Sequence, residues 1–238
     1  MRSACCVYAI VGREASLPAY SPPEVPELEL VAWRELAAVT GRTGDDGTQV
    51  TMEAVVRHEA IVEAVRREGP ALPVRFGTVF RNAESVASAL AERYEPLAAD
   101  LDRLGDKVEM SLTALWSTLP GSDVPSGALP NDTARDGKGA GARWMYARAA
   151  RLRREEAMKE LARSVADDLD EVVGALALER RVSLLPTPRV AVRTAYLLDR
   201  SGVSAFRAAF DAGRVMREEL RVMVTGPWPP YSFVRRPG

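Results

Sequence analysis

The feature that most restricts this chain lies near its C-terminal end. Val222-Met223-Val224-Thr225 reads as a β-type run and passes through Gly226 into Pro227-Trp228-Pro229-Pro230-Tyr231-Ser232-Phe233-Val234. Each proline fixes its own φ at about −65° and restricts the residue before it, so residues 226–231 are expected to be extended and stiff. A stiff segment has little entropy left to lose on docking, and Trp228, Tyr231 and Phe233 offer large apolar area to dock with. The segment reads as a strap laid across a preformed surface, either the chain's own or a partner's. Docking on its own surface is favoured, because three aromatics left in water would form a patch that invites association.

At 238 residues, with 47% apolar and 27% charged side chains, the chain has ample length for a core and an ordinary soluble composition. Its formal net charge of −1 argues against a nucleic-acid partner, which would call for a basic excess or stripe. Cys5 and Cys6 are adjacent and are the only cysteines. On a strand they point to opposite faces, so two reduced thiols in a cytoplasmic protein are expected rather than a disulfide. With His58 the only histidine, metal binding is not expected. Met1-Arg2 followed by an apolar run has some signal-peptide character, but the run is short and has no convincing cleavage site. No stretch approaches the ~18 apolar residues of a membrane helix, so no membrane association is expected.

Residues 4–11 are apolar on both faces, as in a central strand covered on two sides. Residues 17–26 carry four prolines and predict an irregular connection. Residues 28–33 and 36–39 suggest a hairpin around Arg34-Glu35, followed by a Gly- and Asp-rich turn over 41–47. Thr51 is placed to cap a helix with Val55, His58, Ile61, Val62 and Val65 on one face, ended by Gly69-Pro70. A packed, hydrogen-bonded His58 is favoured over a functional one, since no second catalytic group accompanies it. Residues 72–80 (LPVRFGTVF) read as a strand interrupted at Gly77, where a bulge or a close backbone approach is expected. Asn82 can cap a helix with a Val86, Leu90, Tyr94, Leu97 stripe, re-nucleated at Pro96. Residues 107–116 alternate cleanly, which predicts a strand with one buried face.

Residues 120–141 have no periodicity and are read as a flexible linker between two domains, 1–119 and 142–238. A long helix is predicted from about residue 142 to 178, with Met158, Leu161, Val165, Leu169, Val172 and Leu176 as a seam. Arg143, Arg148, Arg151, Arg153 and Arg154 crowd its first turns, the unfavourable end of the helix dipole for cations. A solvated face paired with Glu155 and Glu156 explains them, though their position suggests another use. Strand 189–198, helix 203–218 and strand 220–224 then suggest a small parallel βαβ unit. No phosphate loop, nucleophile elbow, zinc spacing or dinucleotide fingerprint occurs, and Gly137-Lys138-Gly139-Ala140-Gly141 lacks the strand a phosphate loop needs.

Two stretches carry a family likeness. Residues 72–80 (LPVRFGTVF) and 226–234 (GPWPPYSFV) resemble the gas vesicle GvpL/GvpF family in sequence and in relative placement. His58-Glu59, Lys107-Val108-Glu109 and Trp144-Met145-Tyr146 support the likeness. The resemblance implies an α+β protein, with a ferredoxin-like α/β-sandwich domain followed by a helix-rich domain. It implies a non-enzymatic accessory or minor structural protein of gas vesicles, cytoplasmic and without cofactors. Its implied partners are the shell protein and other vesicle accessory proteins. The motif residues, structural or partner-binding, would be Arg75, Phe76, Gly77, Thr78, Gly226, Pro227, Trp228, Pro229, Pro230, Tyr231 and Phe233. The physical case for such a role is that a gas-lining subunit is strongly apolar and needs cover before incorporation. The rival reading is a small-molecule-sensing module, by analogy with ligand-binding ferredoxin-like domains.

Overall fold

The computed structural model of the protein describes residues 4–19, 27–43, 50–117, 139–184, 189–213 and 220–235. It is a mixed α+β structure with two sheets. The chain forms two compact units that interleave in sequence. The first comprises Met1–Glu109, Leu197–Val203 and Gly226–Gly238; the second comprises Met110–Tyr196 and Ser204–Thr225. The sequence expectation of one cut, at a 120–141 linker, placed the proline-aromatic tail in the second domain; the structure groups it with the first unit. Most of that linker, residues 120–138, lies outside the described residues, and residues 139–141 open a helix.

In the first unit, β1 (Ala4–Gly12), β2 (Leu28–Trp33), β3 (Leu36–Thr43) and β4 (Ala71–Pro73) form a sheet in the order β2-β3-β1-β4, with β5 (Val79–Phe80) also pairing with β1. Each pairing of β1 is antiparallel. The β2–β3 hairpin turns at Arg34, whose φ is 51°, as the Arg34-Glu35 break predicts. A bulge in β1 between Val7 and Ala9 adds one residue and shifts its alternation. Tyr8 and Val11 therefore pack with Ile61, Val62 and Val65 of α1 (Met52–Glu68). Val7 and Ile10 instead look into a cavity walled by α2 (Ala83–Glu92) and α3 (Tyr94–Leu104). This two-sided cover is the reason for the unbroken apolar run from Cys6 to Val11, all of it buried.

Local chemistry fixes the helix starts as predicted. Thr51 Oγ1 accepts from the Ala54 amide at 3.1 Å, and Asn82 Oδ1 accepts from the Ser85 amide at 2.9 Å. The helix over 83–104 breaks at Arg93, and Pro96 sits in the first turn of the second piece, where its missing amide hydrogen costs nothing.

The second sheet has the order β7-β8-β6-β9, from β7 (Glu179–Leu184), β8 (Val190–Leu198), β6 (Val108–Trp116) and β9 (Leu220–Trp228). Two expectations change here. Strand β6 stands between β8 and β9, so the strand-helix-strand unit around α5 (Val203–Ala212) is split and its strands are not neighbours. Strand β6 is also buried on both faces over Val108 to Leu112, including Glu109 and Ser111 on its polar side. Helix α4 (Gly139–Val173) buries Ala162, Val165, Ala166, Leu169 and Val173, so Val165 and Leu169 of the expected seam are in the core and alanines and Val173 complete the stripe. Leu176 lies beyond it in a 3-10 turn and is exposed.

Candidate functional site: a cavity where two motifs meet

The first motif is shaped by its backbone. Leu72 and Pro73 pair with Ile10 and Ala9 of β1, and the Val74 amide donates to the Tyr8 carbonyl at 2.9 Å. The chain then turns. The Arg75 carbonyl accepts from the Thr78 hydroxyl at 2.8 Å and the Thr78 amide at 3.3 Å. Gly77 closes this turn at φ +82°, a conformation that a Cβ opposes even though the space around it is open. The expected single interrupted strand is thus two short strands, β4 and β5, joined by a turn. His58 holds the same stretch from α1. Its Nε2 lies 2.7 Å from the Val74 carbonyl, and its ring sits edge-on to Phe76 and tilted against Tyr8. Burial pushes the His58 imidazole below its ordinary pKa, with the Val74 hydrogen bond opposing the shift.

The second motif leaves β9 through Gly226, at φ 111°, and stays extended as far as Trp228. It is not extended throughout. Tyr231, Ser232 and Phe233 form a turn, in which the Phe233 amide donates to the Pro230 carbonyl at 3.0 Å. Pro229 and Pro230 are buried, and Phe233 is fully enclosed at 0% exposure. Buried carboxylates clamp the segment. Glu109 accepts from the Ser232 amide at 2.8 Å and from its hydroxyl at 2.7 Å. Asp100 accepts from the Arg235 amide at 2.8 Å, and Arg103 donates to the Phe233 carbonyl at 3.1 Å. The Tyr231 hydroxyl donates to Glu59 at 3.0 Å; burial and this carboxylate both push its pKa up. Glu109 thereby finds its partners in the strap, which is why the polar face of β6 is buried. The expected intramolecular docking divides within the strap: Trp228 stays 49% exposed, while Pro229, Pro230 and Phe233 beyond it are buried.

The two motifs meet at one cavity of about 330 Å³. Arg75 and Thr78 line it from the first motif, and Tyr231, Val234 and Arg235 line it from the tail. Of the other motif residues, Phe76 turns to His58, Gly77 serves the turn, and Gly226, Pro227 and Trp228 lie outside the cavity lining. Sequence reasoning missed Asp100 and Arg103, an i,i+3 pair on α3 that resembles any solvated helix pair in sequence. Among the described residues no group of three or more His, Cys, Asp or Glu side chains is placed to hold a metal ion. Among them also, no helix is long and apolar enough to cross a membrane.

A different kind of surface opens α4. Trp144, Met145 and Tyr146 are 60%, 66% and 74% exposed, with Leu152 two turns on at 50%. The Arg148 guanidinium stacks over the Trp144 ring at 5.3 Å, one use for a cation in these turns.

This α+β arrangement is the fold of the solved GvpF proteins. The crystal structure of gas vesicle protein GvpF from Anabaena sp. matches 99% of this chain and 98% of its own, at a TM-score of 0.65 and 17% identity. The GvpF structure from Microcystis aeruginosa matches 99% of this chain and 100% of its own, at a TM-score of 0.64 and 17% identity. The chain itself belongs to the GvpL/GvpF family: the family model described as gas vesicle synthesis protein GvpL/GvpF matches residues 4–235. Among curated relatives, gas vesicle protein F2 of Halobacterium salinarum is 26% identical over 86% of this chain and 78% of its own length. Gas vesicle protein L of Streptomyces sp. is 28% identical over 76% of this chain and 68% of its own. Its role is therefore gas-vesicle-related.

Proposed function

We propose that this protein is a non-enzymatic gas vesicle assembly factor, which binds shell-protein subunits or their assembly partners in the cytoplasm and associates with the forming vesicle. The observation that carries the reading is the exposed Trp144-Met145-Tyr146 face of α4, three large consecutive side chains left in water where the helix core begins only at Ala162. An apolar patch with stacked arginine is the composition that protein interfaces favour at their centres. A gas-lining subunit, apolar before incorporation, is a partner of matching chemistry.

The motif residues divide on this reading. Phe76, Gly77, Thr78, Gly226, Pro229, Pro230, Tyr231 and Phe233 are structural, while Arg75, Pro227 and Trp228 are available to partners. The antiparallel order β4-β1-β3-β2, with α1 between β3 and β4, supports a ferredoxin-like description of the first sheet. The function is tested by co-purification with the shell protein. Trp144→Ala combined with Tyr146→Ala should abolish capture at unchanged melting temperature, whereas undiminished capture would refute the assignment of this face.

A further inference from the structure

The cavity between the motifs has a chemistry of its own. Its floor is apolar, formed by Val7 and Ile10 of β1, Leu72 of β4, Val86 and Leu90 of α2 and Leu97 of α3. Three arginines, Arg75, Arg93 and Arg235, also line it. Arg93 donates to the Arg235 carbonyl at 2.7 Å, and Arg235 pairs with Asp100 at 3.4 Å, so these two are held in place. Arg75 is exposed, and no carboxylate among the described residues pairs with it. One carboxylate against three guanidinium groups leaves the lining with an excess of positive charge over an apolar floor.

Size decides what can enter. The cavity holds about 330 Å³, and the clamped tail at Tyr231 and Val234 lines one side of it. A volume at the small end of the range for ligand sites suits a single aliphatic chain. An empty apolar cavity also forgoes dispersion contacts that such a chain would restore.

We propose that this cavity binds a small amphiphile made of one aliphatic chain and one carboxylate, with the chain on the Ile10-Leu72-Leu90-Leu97 floor and the carboxylate on Arg75. The planar arginine fork suits a carboxylate in a way that an ammonium does not. This site is independent of the α4 face, and it gives the small-molecule-sensing alternative a definite ligand class. The test is calorimetric titration of the full-length protein, without any partner, using sodium decanoate below its micellar concentration and decan-1-ol as the uncharged control. Decanoate should saturate a single class of site and bind about tenfold more tightly than decanol, the ratio expected of a charge-assisted hydrogen bond. Arg75→Gln should remove that advantage, and Ala89→Trp, which fills the cavity from α2, should abolish binding of both probes while the melting temperature confirms folding. Absence of saturable decanoate binding, equal binding of the alcohol, or binding unchanged in both variants would each overturn the proposal. Co-purification of the shell protein by the unmodified chain would be unaffected by any of these results, so the two readings fail separately.

Discussion

The strap and the opening turns of α4 look alike in sequence and differ in the folded chain. Each places large apolar side chains close together: Trp228, Tyr231 and Phe233 in one, Trp144, Met145 and Tyr146 in the other. Beyond Trp228 the strap buries Pro229, Pro230 and Phe233, and its backbone is tied down by Glu109, Asp100 and Arg103. The α4 side chains stay in water, and the ring contact at Trp144 comes from Arg148 on the same helix. Aromatic content therefore does not separate an internal anchor from an exposed face. The separating feature is a buried polar group that only the docked segment satisfies, since an unpaired carboxylate such as Glu109 would be costly to bury. The comparison makes the strap a structural element and leaves the exposed α4 face as the proposed recognition element.

The comparison breaks most readily at Phe233. Its ring is fully enclosed, so Phe233→Ala should destabilise the first unit by ~3–5 kcal/mol in equilibrium denaturation. A loss below ~1 kcal/mol would mean that the tail is not anchored there. Trp228→Ala, by contrast, should cost much less than the strap reading from sequence alone would assign, because that ring is half exposed.

Gly77 offers a smaller test of the surface on which the strap lies. At φ +82° with open space around it, the barrier to a side chain is conformational and not steric. Gly77→Val should cost ~1–3 kcal/mol, whereas Gly77→Asn, a residue that tolerates this region, should cost less than half as much. Equal losses for the two variants would point to crowding instead.

His58 sharpens the comparison through pH. Burial depresses its folded-state pKa below 6.5, so the unfolded chain binds the proton more readily. The stability this group contributes is present above pH 6.5 and is lost as pH falls through the folded value. Chemical denaturation between pH 7.5 and 5 should show that fall in the parent, and a shallower one in His58→Gln. The same slope in both would assign the effect to other groups. The smallest effect on stability belongs to α4: Trp144→Ala should change it by no more than ~0.5 kcal/mol, as an exposed site does, while reducing capture of the shell protein.

Much of this was legible in the sequence. The caps at Thr51 and Asn82 and the two-sided β1 run follow from local rules, and the structure keeps them; the interruption at Gly77 was also legible, but it is a left-handed turn in open space and not the expected bulge or close approach. The packed state of His58 was also expected, because it sits on an apolar helical face. What was missed is long-range. Alternation in β6 marked Glu109 as solvent-facing, since nothing nearby announces a partner at Ser232, 123 residues away. The split of β8 and β9 by β6 is likewise a non-local pairing that strand-helix-strand order cannot specify. Two of the five buried residues of the α4 core stripe, Ala162 and Ala166, are alanine, which carries little weight in a hydrophobic pattern but allows close approach.

The most direct test of the central claim, that the strap is docked on its own sheet and is not held ready for a partner, is amide hydrogen exchange on the isolated protein. The account predicts that the Ser232, Phe233 and Arg235 amides, bonded to Glu109, the Pro230 carbonyl and Asp100, exchange as slowly as amides of β1. Exchange of these three at the rate of an unstructured peptide, with β1 still protected, would contradict it.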